Sequence, residues 1–77
     1  MTTLYEAIID AFKYSGKELS IEDVSNYIQN NYSKTWSDIG TTMADMVPEE
    51  EGGNSSSNVP TEYRVLKRVT RGIYTLK

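Results

Sequence analysis

Three stretches of this chain repeat apolar residues at helical spacing. Leu4, Ile8, Ala11 and Phe12 share one face, Tyr5 and Ile9 widen it, and Glu6, Asp10 and Lys13 lie opposite. Thr3 followed by Glu6 has the capping-box pattern, and Gly16 stands where a left-handed residue closes a helix, so a first helix is expected over 3–14. Ser20 with Asp23 repeats the cap signal ahead of Ile21, Val24, Ile28 and Tyr32, and Asn30-Asn31 favours a turn, which places a second helix over 21–31. Thr35 with Asp38 precedes Trp36, Ile39, Gly40, Met43 and Val47, giving a third helix over 36–47 in which Asp38 serves the cap. Gly40 inside that helix costs about 1 kcal/mol relative to alanine, a cost offset if another helix approaches closely there.

After Pro48 the pattern changes. Residues 49–58 contain no apolar side chain, and the stretch 48–60 reads as a flexible loop that ends in an extended residue before Pro60. Residues 63–77 then read as a β-hairpin: Val65 to Val69 and Ile73 to Leu76 flank Thr70-Arg71-Gly72. A short extended piece at Lys17-Glu18-Leu19 is a candidate third strand beside it. The expected class is therefore α+β, with three helices and a C-terminal hairpin.

Charge sharpens this picture. Seventy-seven residues carry a formal charge of −3, yet Arg64, Lys67, Arg68, Arg71 and Lys77 all fall in the last seventeen, against the single acid Glu62. A local charge of about +4 thus sits on a chain whose remainder is about −7, an arrangement that suits a localised anion-binding patch rather than a general nucleic-acid coat. Such a length supports one domain, 1–77, whose core is near the lower limit for folding unaided. Cysteine and histidine are absent. Disulfides, the usual zinc sites and the commonest general base are therefore excluded, and no set of residues forms a catalytic constellation, so neither an enzyme nor a cofactor is expected. No apolar run reaches the roughly 18 residues of a membrane span and no leader is visible, so a cytoplasmic location with no membrane partner is expected.

Several residues have a plain and a functional reading. Trp36, Met43, Phe12 and Tyr74 lie on predicted buried faces and are expected in the core. Six tyrosines are many for this length. Tyr27 and Tyr63 belong to no apolar stripe, so each is either a half-exposed ring or part of an interface. Glu49-Glu50-Glu51 is expected to be a solvated run, with repulsion of nucleic acid or binding of a partner as its functional reading, and Glu22-Asp23 to be charges favouring a helix N-terminus.

Some residues go beyond patterning: Ile21-Glu22-Asp23-Val24, Tyr32-Ser33-Lys34-Thr35-Trp36, Ser55-Ser56-Ser57-Asn58-Val59-Pro60 and Arg71-Gly72-Ile73-Tyr74-Thr75-Leu76. With these segments the chain resembles winged helix-turn-helix domains, in particular a family of small uncharacterised bacterial and archaeal ones. The resemblance implies a three-helix fold with a hairpin wing and, by analogy, binding to double-stranded DNA as a small transcriptional regulator. Helix three would enter the major groove and the hairpin would meet the backbone or the minor groove. On that reading the DNA-binding residues are Lys34, Thr35, Ser37, Thr41 and Thr42 around helix three, and Lys67, Arg68 and Arg71 in the hairpin. Asn54 to Asn58 would add uncharged phosphate contacts. Asp38 and Asp45 oppose this role, because carboxylates on a reading helix repel phosphate. The alternative is a module of the same shape that docks a protein partner. A homodimer is expected under the DNA reading, since one module of this size recognises few base pairs.

Overall fold

The computed structural model describes residues 3–33, 36–53 and 59–77. Helix α1 spans Leu4–Ser15, a two-residue strand β1 spans Leu19–Ser20, and α2 spans Ile21–Asn31. A short α3 covers Ile39–Asp45, followed by single 3-10 turns at Glu49–Glu51 and Thr61–Tyr63 and by strands β2 (Leu66–Thr70) and β3 (Ile73–Leu76). The strands form one antiparallel sheet in the order β1-β3-β2. The described residues are thus α+β, with three α-helices on a three-stranded antiparallel sheet.

The first two helices begin where their side chains satisfy the leading amides. Thr3 Oγ1 accepts from the Glu6 amide at 3.4 Å while the Thr3 amide donates to Glu6 Oε1 at 2.9 Å. Ser20 and Asp23 reproduce the exchange at 3.0 and 3.1 Å. Each such cap contributes about 1 kcal/mol. Both carboxyls are held below their ordinary values, chiefly by the backbone hydrogen bond each accepts. Gly16 closes α1 at φ 68°, with its amide donating to the Phe12 carbonyl.

The third helix differs from its expected span of 36–47. Asp38 sits at its N-terminus with φ 57°, a left-handed conformation that a helix cannot incorporate, and its side chain makes no capping bond. Helical geometry therefore starts only at Ile39. At the other end, the Met46 and Val47 amides reach back to carbonyls three residues earlier, tightening the last turn, and both side chains are buried. The connection from α2 to α3 accordingly runs over residues 32–38, longer than the tight turn expected. The segment 48–60, expected as a structureless loop, contains the Glu49–Glu51 turn, and Tyr63, expected in the hairpin, belongs to the Thr61–Tyr63 turn. In both turns a proline just ahead presets the entry.

The core is drawn from every element: Ala7, Ile8, Ala11 and Phe12 of α1, Val24 and Ile28 of α2, Met43, Met46 and Val47 around the end of α3, and Leu19, Leu66 and Tyr74 of the sheet. Trp36 packs against it, half-buried. Gly40 is the point of close approach between α3 and α2. A Cβ there would lie 3.1 Å from Ile21 Cδ1 and 3.4 Å from its Cγ2. Gly40→Ala is expected to be nearly neutral, because about 1 kcal/mol of helix propensity offsets a small displacement of Ile21. Gly40→Leu, which cannot be accommodated by that displacement, should lose about 1–3 kcal/mol in urea melts. A leucine variant as stable as wild type would show that the two helices do not meet there. Among the described residues no helix is long and apolar enough to cross a membrane.

Candidate nucleic-acid interface

Strands β2 and β3 pair Leu66 with Leu76, Lys67 with Thr75 and Arg68 with Tyr74; an irregularity between Arg68 and Thr70 shifts the register so that Thr70 meets Ile73. Arg71-Gly72 is the connection, one residue shorter than expected, because Thr70 is drawn into the strand. Gly72 takes φ 80°, the left-handed geometry that the tight reversal requires. The turn does not hang free. Its Gly72 carbonyl accepts from the Ile21 amide at 3.2 Å, and Ile21 is also the residue against which Gly40 of α3 packs. Ile21 thus links the hairpin turn through its amide, and the start of α3 through its side chain, to the start of α2.

Of the five C-terminal cations, two are committed within the fold. Arg64 is only 9% exposed. Its Nε donates to the Val59 carbonyl at 3.3 Å and its Nη1 to the Val47 carbonyl at 3.5 Å, so the guanidinium bridges the two ends of the connecting segment. Lys77 forms an ion pair with Glu51. Lys67, Arg68 and Arg71 remain exposed, and none of the three is in an ion pair among the described residues. Lys67 and Arg68 point to opposite faces of β2, as consecutive strand residues must. Arg68 shares the face of buried Leu66 and Tyr74 and lines a cleft with Ala44, Val47 and Glu51, which brings it beside the end of α3.

On the α3 side, Thr41 is exposed and Thr42 half-buried. Ser37, expected on the helix, lies in the bend before it. Asp38 is exposed and Asp45 half-buried, so among the described residues α3 and its approach present carboxylates and hydroxyls but no cation. Lys34, Thr35 and residues 54–58 lie outside the described residues. The positive charge beside the end of α3 therefore comes from Arg68 of the hairpin, while the helix expected to read bases presents hydroxyl groups.

The aromatic residues follow a different logic. Tyr27 stacks at a tilt on Tyr14, ring centroids 5.4 Å apart, and Tyr63 on Tyr5 at 4.5 Å, so both rings outside the apolar stripes have partners within the chain. Tyr14 itself, which no pattern singled out, is 80% exposed. Tyr32 donates its hydroxyl to Asp10 Oδ2 at 2.6 Å and meets Trp36 edge-on, tying the α2–α3 connection to α1. That hydrogen bond, with burial and the Asp10 charge, pushes the phenol up to about 12. An unfolded phenol ionises near 10, so the stability from this contact is complete below pH 10 and is lost as pH rises toward 12. Tyr32→Phe is expected to fall less steeply than wild type in urea denaturation across that window. Parallel curves would mean that the hydrogen bond does not persist in solution.

Among the described residues no group of three His, Cys, Asp or Glu is placed to hold a metal. Comparison with protein-family models, with curated proteins and with solved structures finds no match for this chain.

Proposed function

We propose that this chain is a winged-helix protein that binds double-stranded DNA in the cytoplasm, as a small regulator, with the β2–β3 hairpin as its principal contact. The element order supports the fold reading: helix, short strand, helix, helix and a hairpin whose third strand is β1. The observation that carries the binding reading is the set Lys67, Arg68 and Arg71, three exposed cations with no ion pair among the described residues, on a hairpin whose turn is anchored beside α3. Exposed cations of this kind bind phosphate and release counterions. Thr41 and Thr42 contribute hydroxyl contacts from α3, with Ser37 ahead of it. Three charges per module make binding weak and steeply salt-dependent, which two copies on one duplex would strengthen.

Fluorescence anisotropy with a short mixed-sequence duplex tests the reading. The slope of log affinity against log salt should be about 2.7 in magnitude. Arg71→Ala should weaken binding and reduce that slope by about one. Absence of binding at low ionic strength would overturn it.

A second reading, a docking module for a protein partner, is favoured by the burial of Arg64, by the pairing of Lys77 with Glu51 and by Asp38 and Asp45 around α3. Under that reading the Arg71 variant leaves every duplex titration unchanged.

A further inference from the structure

We infer that the Glu51–Lys77 ion pair is a latch that withholds a fourth phosphate-binding cation from the hairpin, an inference that rests on the DNA reading above. The register carries it. Lys67 stands opposite Thr75, and the Lys77 amide donates to the Val65 carbonyl at 2.9 Å, which extends the same pairing by one step. Side chains two residues apart on a strand share a face, so Lys77 lies on the face of Thr75 and Lys67. Released, its ammonium joins Lys67 in one basic strip along the outer hairpin. Held, it is neutralised by the acidic turn.

The turn is built to hold it. Glu49–Glu51 forms a 3-10 turn directly after the buried Met46-Val47-Pro48 segment, so the carboxylates are delivered to the base of the hairpin by a fixed piece of backbone. The Glu51 amide donates to the Pro48 carbonyl at 2.9 Å, fixing the residue that makes the pair. Glu51 also lines the cleft that holds Arg68. Lys77 is raised above its ordinary value by the hydrogen bond to Glu51, with the charges of Glu51 and Glu50 adding to it. Both partners are partly exposed, at 41% for the lysine and 33% for the glutamate side chain. An exposed pair of this kind is weak, so removing the charge of Glu51 alone is enough to free the ammonium.

Salt titrations of duplex binding separate the latch from simple loss of negative charge. The proteins compared are wild type, Glu51→Gln, Glu50→Gln, Lys77→Gln and the double variant Glu51→Gln/Lys77→Gln, each checked for folding by circular dichroism. Glu51→Gln is expected to bind about fivefold to tenfold more tightly at low salt, with the slope magnitude rising from about 2.7 to about 3.6 as a fourth cation engages. Glu50→Gln removes an equal charge without opening the pair. It should tighten binding less and leave the slope unchanged. Lys77→Gln should bind like wild type, and the double variant should lose the steeper slope. A Glu51→Gln slope equal to that of Glu50→Gln, or one that persists in the double variant, overturns the latch while leaving the DNA reading intact. If neither wild type nor Glu51→Gln binds duplex at low salt, the DNA reading fails and the latch falls with it.

Discussion

Replacing Arg64 by methionine is expected to cost about 2–3 kcal/mol. The side chain is buried, and its charged donors reach the carbonyls of Val47 and Val59 at 3.5 and 3.3 Å. Hydrogen bonds from a charged donor contribute about 1.5–3 kcal/mol each, but these two are long, and methionine also relieves the desolvation of a buried guanidinium. The balance stays unfavourable because a buried carbonyl at Val47 and a half-buried one at Val59 lose these donors. For a domain of this size the melting temperature should fall by about 10–20 °C. Arg64→Lys should rescue little, since a single ammonium cannot span two carbonyls as the planar fork does. A methionine variant melting within about 2 °C of wild type would show that the bridge contributes nothing.

Gly53→Ala is expected to cost about 2–3 kcal/mol for a reason that no side-chain contact reveals. An added Cβ would lie 1.8 Å from the Val47 carbonyl oxygen and 2.7 Å from its carbon, both of them backbone atoms that cannot swing aside. The chain would have to shift, and with it the bond from the Gly53 amide to the Pro48 carbonyl at 2.9 Å. Gly52→Ala is the control. The position beside it has open space around the missing side chain, so its loss should be confined to the backbone strain of φ 97°, about 1 kcal/mol. Equal losses in the two variants, measured by urea denaturation, would show that the approach to Val47 is not what constrains Gly53.

Both predictions converge on a single carbonyl, and neither was visible in the chain's pattern. Local chemistry made other features legible. The caps at Thr3 and Ser20 set the starts of α1 and α2 because their partners are three residues away, and Asn30-Asn31 marked where α2 ends. The apolar spacing extends the third helix too far because Trp36 and Val47 pack on the core whether or not their backbone is helical. Apolar spacing records burial, and Asp38 in a left-handed conformation leaves no trace in it. Composition groups Arg64 with the surface charges, whereas its burial depends on residues 47 and 59 being brought to it by the fold. The same holds for Lys77, whose partner lies in a run of glutamates that reads as solvated. The cations at 67, 68 and 71 were legible as a group. That α3 contributes no cation among its described neighbours was legible too, and it shifts the weight of any phosphate contact onto the hairpin.

The small strand at Leu19–Ser20 has a consequence for how the molecule assembles. It pairs with β3, so a segment completed early in the chain has no edge to join until residues 73 and 74 arrive, and the Ile21 amide then finds Gly72. Contacts that distant in sequence must overcome loop closure before they stabilise anything. Closing the sheet should therefore be the slow step of folding, and the hairpin should be present or absent together with the seat of α2 rather than fraying alone. A ligand gripping Arg71 would then act on the whole domain's stability, since the strand it pulls on is the one that fastens the beginning of the chain to its end.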